Sequence, residues 1–161
     1  MSFRSCVARG NDLVSKVTAK LAFIAPLATR IVIGLAFFHT GTGKFRHLDN
    51  VVGFFQGLGI PFPIFHAGLV ASMETFGGIA LIFGLFTRFF ASGLSITMIV
   101  ALLTADTANF LASWGSAAEQ SPTDVTSFVF LLFLVWLVFY GAGNVSLDAL
   151  LRKVLRFESA G

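Results

Sequence analysis

Along this chain, uncharged apolar runs long enough to cross a bilayer alternate with short polar breaks. The clearest run covers residues 125–143 and contains no charge. At ~1.5 Å per helical residue its length suits roughly 30 Å of hydrocarbon. Before it, Ser121-Pro122-Thr123-Asp124 reads as an N-cap, a proline at the first helical position and an acid in the first turn, which suits backbone N–H groups that lack partners. Residues 89–105 form another uncharged run, extendable through Asp106 to Leu111. Residues 64–86 are apolar except for Glu74 and follow the Pro61-Phe62-Pro63 break; residues 21–43 are apolar except for Arg30, with His39 near the far end. The pattern predicts four transmembrane helices near 21–43, 64–86, 89–111 and 125–143, an all-α, polytopic membrane four-helix bundle.

The flanks predict elements of a different kind. In residues 144–161, apolar side chains recur at Leu147, Leu150, Leu151, Val154 and Leu155 among Arg152, Lys153 and Arg156. That spacing gives one apolar helical face opposite a basic one, the signature of a helix lying on an anionic cytoplasmic leaflet. Residues 1–20 are read as a cytoplasmic amphipathic segment. The first apolar stretch begins only after residue 20, is split by Arg30 and runs on into a span, so it reads as a helix and not as a cleaved leader. Between the first two spans, residues 50–65 are too broken by Gly and Pro to cross and too apolar for a free loop. They are expected to fold back over the outer mouth of the bundle as an interfacial lid.

Composition agrees with this layout and removes the alternatives. The chain has 161 residues, 56% hydrophobic and 12% charged, against roughly 25% charged in soluble domains, and its mean hydropathy is +0.86. With 20 phenylalanines it can be neither a soluble domain nor a disordered chain. A net charge of +3 does not signal nucleic acid, because the bases follow the spans. With both termini cytoplasmic, Arg4, Arg9, Lys16, Lys20, Arg88, Arg152, Lys153 and Arg156 are inside and only Lys44 and Arg46 outside, as the positive-inside rule requires. Trp114 and Tyr140 then fall at opposite interfaces. The expected location is a bacterial-type inner membrane, multi-pass, with the lipid bilayer as the first partner. A lone cysteine, Cys6, leaves no internal disulfide, no CxxC pair and no thiolate cluster.

Charges in hydrocarbon cost about 2.5–3.5 kcal/mol each on insertion scales, so each needs a partner or a wet cavity. Counting from the cytoplasmic ends of their spans, Arg30 and Glu74 differ in depth by only ~4–5 Å and are expected to pair, either as a structural pin between helices or as a poised, ligand-binding carboxylate. A second polar group, His39, Lys44, Asp106 and Asn109, falls near the outer leaflet. It could relay protons or hold a polar headgroup or quinone carbonyl at the bundle mouth, or consist of ordinary interfacial side chains. No metal site is expected: His39, His47 and His66 are scattered, no two at i, i+3 or i+4 on one helix. Gly41-Thr42-Gly43-Lys44-Phe45 is a false phosphate-loop match, since Phe38 and Phe45 replace the required glycine and hydroxyl. A subset of the phenylalanines could line a flat apolar cavity of the kind a quinone ring or acyl chain needs.

Taken in order, Arg30-x3-Gly34-x6-Gly41-x2-Lys44, then Phe54-Phe55 and Gly59-Ile60-Pro61, then Glu74-x2-Gly77-Gly78-x5-Gly84-x2-Thr87-Arg88, and finally Gly141-x-Gly143-Asn144-x-Ser146-Leu147-Asp148 resemble the DoxX family of small four-helix membrane proteins over residues 28–150. The resemblance implies a membrane subunit of a redox system, since some members belong to thiosulfate:quinone oxidoreductases and others are linked to thiol and superoxide defence. It matches Arg30, Lys44, Glu74 and Asp148 to the family's recurrent charged positions. The first functional expectation is therefore a redox-associated subunit of a quinone-linked oxidoreductase that binds a quinone-like amphiphile between its helices, with a redox partner subunit supplying electrons. The alternatives are a small proton-coupled transporter using Glu74 with His39 and Asp106, and a non-catalytic membrane scaffold; a homo-oligomer is compatible with each.

Overall fold

A computed structural model describes Ser15, Thr18 and residues 21–115 and 121–158. Its helices are α1 (Ile24–Arg46), α2 (Leu48–Gly57), α3 (Pro63–Phe83), α4 (Thr87–Thr104), α5 (Thr107–Ala112), α6 (Thr126–Tyr140) and α7 (Leu147–Glu158), with a 3-10 turn at Pro122–Asp124. The all-helical bundle expected from the pattern is what the chain forms; the predicted N-terminal segment lies almost wholly outside the described residues.

Boundaries fall where the backbone cannot continue a helix. Pro63 occupies the first turn of α3, where its missing N–H costs nothing. At the other end Gly84, at φ +68°, closes α3 in the left-handed conformation, which only glycine adopts without a steric penalty. Gly141, at φ +82° and ψ −165°, stops α6 at Tyr140 with an extended, positive-φ conformation that glycine alone adopts readily, so the predicted run to residue 143 is shortened. Its start also shifts: Ser121 and Asp124 do form a reciprocal capping box, but around the 3-10 turn, and α6 begins only at Thr126. The predicted third span does not run to Leu111. It breaks at Ala105-Asp106, and residues Thr107–Ala112 form the separate helix α5.

Among the described residues three helices, α1, α3 and α4, are long and apolar enough to cross a membrane, whereas α6 has 15 residues. That is ~22 Å of helix, so the fourth bundle helix is shorter than the full span predicted. We call the end of the bundle where α1 begins the near face and the opposite end the far face. The strongest packing pairs are α1 with α3 and α4 with α6, joined through α3 and α4. Ile33, Phe37, Leu81, Leu94, Met98, Leu134 and Leu137 make the shared core. Large apolar side chains also point outward all around the bundle, among them Val32, Phe76, Phe83, Phe89, Leu103 and Phe139. Such a surface would be insoluble in water and is the ordinary exterior of a protein bathed in lipid.

Close approach of α1 and α3 fixes their register. A Cβ on Gly34 would lie 2.8 Å from the Gly78 carbonyl, one on Gly78 2.5 Å from the Phe38 nitrogen, and one on Gly41 2.5 Å from the Thr75 nitrogen. Small residues permit this contact between membrane helices, and any side chain here would force them apart.

Candidate functional site

The antiparallel register decides which buried charges meet. Side chains on a helix tilt toward its own N-terminus, so Arg30 on α1 leans to the near face while Glu74 on α3 leans to the far face. Lys44, near the end of α1, leans back into the bundle and converges on Glu74. Its Nζ lies 2.5 Å from Glu74 Oε2, with the carboxylate side chain 3% exposed and the lysine 29%. The expected Arg30–Glu74 pair does not form. Counting from the span ends sets Arg30 opposite Gly77, but the guanidinium instead packs against Gly84, two helical turns nearer the near face, or ~10 Å.

Around the Lys44–Glu74 pair opens a pocket of about 540 Å³, within the range that holds small-molecule ligands. Glu74 and Ile96 lie toward its inner end. His66, Thr104 and Ala105 line its outer end, and Phe54, Phe55, Leu58 and Ile60 cover it from α2 and the following turn. The segment 50–65 thus lies over the pocket, its first half as helix α2 and not as irregular chain. Leu69, Ile96 and Val100 border the pocket while remaining about half exposed on the bundle exterior. The cavity therefore has a side facing the hydrocarbon. Its walls are overwhelmingly apolar, and the polar groups it offers are the ammonium, the carboxylate, the His66 ring and the two threonines at 97 and 104.

The predicted outer-leaflet cluster does not assemble. His39 is exposed on α1 and Asn109 is exposed on α5. Asp106 accepts a hydrogen bond from the Ser127 hydroxyl. None of these three lines the pocket, so of the candidate residues Lys44 and Glu74 alone are brought together there. Sequence reasoning missed His66, which it weighed only as a metal ligand. Its signal was available in the spacing of His66, Val70 and Glu74, four residues apart and so on one helical stripe.

Arg30 belongs to a separate arrangement at the near face. Its Nη2 donates to the Val145 carbonyl at 2.5 Å and its Nε to the Pro26 carbonyl at 3.3 Å, and its charge is attracted by Asp148. Asp148 in turn accepts from the Phe86 and Thr87 backbone N–H groups at 2.8 and 3.0 Å. These are unpartnered donors of the first turn of α4, so a side chain from α7 caps a helix sixty residues earlier. The Asp148 N–H closes the knot by donating to the Gly84 carbonyl at 2.9 Å. The resemblance residues thus divide into two sites, Lys44 with Glu74 in the pocket and Arg30 with Asp148 at the helix ends.

Comparison with known proteins identifies the family. Residues 25–107 match the DoxX family, a stretch that contains Arg30, Lys44, Glu74 and most of the pocket wall. A Mycobacterium tuberculosis protein named "Uncharacterized membrane protein Rv3486" is 33% identical over 136 residues, covering 79% of this chain and 81% of that protein. A Bacillus subtilis protein named "Putative oxidoreductase CatD" is 35% identical over 81 residues, 50% of this chain and 59% of CatD, so the match spans well under two thirds of that relative. No solved structure matches. With the helical bundle, its lipid-facing exterior and the family match over more than half its length, this chain is a membrane protein that belongs to the DoxX family.

Proposed function

We propose that this protein is a redox-associated membrane subunit that binds a quinone-like amphiphile in the pocket beside Lys44 and Glu74. The observation that carries the reading is an ion pair, with its carboxylate buried and its lysine partly exposed, in the wall of an otherwise apolar cavity bordered by lipid-facing residues. Taking a carboxylate out of water costs several kcal/mol, and an apolar pair of the same volume would pin α1 to α3 at least as well, so a charge kept beside a cavity calls for a role in the cavity. Here the lysine is the more exposed partner, so an incoming head group meets N–H donors first. It must therefore be an acceptor, such as a carbonyl oxygen, and not a cation. A quinone ring fits the apolar walls, and its isoprenoid tail can leave through the side bordered by Leu69, Ile96 and Val100.

Reduction of a quinone to a quinol takes two electrons and adds one proton to each carbonyl oxygen. Lys44 stands where it can give its proton to one of those oxygens and regain one from water at the far face, with the Glu74 carboxylate favouring its return to the ammonium form, and the second oxygen takes its proton from the same water. The electrons come from a partner subunit of oxidoreductase type, a role in keeping with the name carried by the CatD relative. Both termini and α7 are assigned to the cytoplasmic side, because the basic residues concentrate there. The test is calorimetric titration of the purified protein in detergent with a short-chain ubiquinone. Saturable binding that Lys44→Met reduces by tenfold or more supports the reading, and the absence of saturable binding by the wild type overturns it.

A further inference from the structure

The pocket does not use α7. Six residues, 141–146, separate it from α6, and the chain around its start is tied down by hydrogen bonds. The Val145 carbonyl is bound by Arg30, the Asp148 N–H by Gly84, and the Asp148 carboxylate by the first two amides of the α4 turn. Those anchors are the near-face ends of α1, α3 and α4, three helices of membrane-crossing length. They fix the root of α7 at the level where the hydrocarbon ends.

Beyond that root nothing in the described chain covers its apolar face. Leu147, Leu150, Leu151 and Val154 are 39–56% exposed. At 100° per residue they lie within one stripe, with the exposed cations Arg152 and Lys153 turned to the opposite side. A stripe of this kind projecting into water would expose a contiguous apolar patch. Burying it in the bundle is excluded by the exposure itself. At this height the one apolar phase adjoining it is the acyl boundary of the leaflet, and the basic face selects which leaflet lipids favour it.

We infer that α7 is an in-plane membrane anchor that binds an anionic phospholipid surface, with the Leu147–Leu150–Leu151–Val154 stripe inserted at the acyl boundary and Arg152 and Lys153 among phosphate head groups. This assignment is independent of what the pocket binds. Basic residues near an anionic leaflet contribute on the order of fivefold each to the docked population, so α7 responds to lipid charge as well as to hydrophobicity. Because Asp148 joins α7 to the start of α4, docking and capping of α4 share one residue.

Spin labelling tests this in nanodiscs, using the full chain with Cys6→Ser as background and one nitroxide at Leu151→Cys or Lys153→Cys. Both positions are exposed, so the label does not disturb packing. In discs containing phosphatidylglycerol, the label at 151 is expected to be reached by oxygen and shielded from a water-soluble nickel chelate, and the label at 153 to show the reverse. Exchanging the lipid for phosphatidylcholine, or replacing Arg152, Lys153 and Arg156 with Gln, should lower the ratio of docked to undocked α7 about fivefold for each base that no longer faces an anionic leaflet. The lipid exchange needs no further variant, so a misfolded triple mutant cannot mask the answer. Equal nickel access at 151 and 153 in the anionic discs overturns the inference. So does shielding at 151 that persists without anionic lipid and brings dipolar broadening between labels, which would mean that a second copy covers the stripe.

Discussion

Lys44 and Glu74 form one ion pair but are unequally enclosed, and this asymmetry predicts an unequal cost of breaking it. Lys44→Met strands a carboxylate whose side chain is 3% exposed. Removing one partner of such a pair typically costs about 3–5 kcal/mol, because the remaining charge is left uncompensated away from water. Glu74→Gln strands the lysine instead, which is 29% exposed and sits on a flexible stem near the far face, where its head can reach water. That loss is expected to be about 1 kcal/mol. The double variant Lys44→Met/Glu74→Leu replaces the pair with apolar groups of similar volume and should be near neutral or slightly stabilising, while abolishing quinone binding. The assay is unfolding of each purified variant in mixed micelles, followed by far-ultraviolet circular dichroism. If Glu74→Gln destabilises as much as Lys44→Met, or if the double variant is the least stable of the three, the asymmetric burial is wrong.

Other positions give equally direct expectations. Gly41→Ala places a Cβ 2.5 Å from the Thr75 nitrogen and should cost about 1–3 kcal/mol by overpacking, whereas Gly43→Ala, with nothing within 4 Å, should be neutral or stabilise by up to ~1 kcal/mol through helix propensity; the pair is compared by thermal unfolding in detergent. Asp148→Ala removes the cap of α4 and should cost about 0.5–2 kcal/mol, with faster amide hydrogen exchange at Phe86 and Thr87 as the local readout. Ile96→Trp narrows the lipid-facing side of the pocket and should weaken binding of a long-tailed quinone by tenfold or more while leaving a tail-less benzoquinone within about twofold, measured by calorimetric titration.

Much of the fold was legible because lipid imposes a simple code. Long uncharged runs had to be helices, and the Pro61-Phe62-Pro63 break marks the start of α3 in the sequence as in space, whereas its end was placed at residue 86 and falls at Phe83, where Gly84 turns the chain. The C-terminal amphipathic helix also follows from periodicity alone. What could not be read was register. Depth was counted from span ends assumed to lie level; the observed ends, Ile24 and Phe83, still set Arg30 opposite Gly77, so the two turns that separate Gly77 from Gly84 come from a stagger of the two helices and not from where they end. The true register is set by which glycines touch, Gly34 with Gly78 and Gly41 with Thr75, and that is a property of the pair of helices. The direction in which side chains lean was legible in principle. It points Arg30 and Glu74 away from each other and Lys44 toward Glu74. His39, Asp106 and Asn109 lay at plausible heights on the correct helices, but height does not fix the azimuth around the bundle, and none of them turns toward the pocket.

The central claim is that the Lys44–Glu74 pocket receives the head of a quinone from the bilayer. Photo-crosslinking with an azidoquinone in native membranes, followed by peptide mapping, addresses it most directly. Adducts are expected on residues 66–74 of α3 and 96–104 of α4, suppressed by excess unmodified quinone and lost in Lys44→Met/Glu74→Leu. Adducts concentrated around Arg30 and residues 141–148 at the near face, or labelling that excess quinone does not displace, would contradict it.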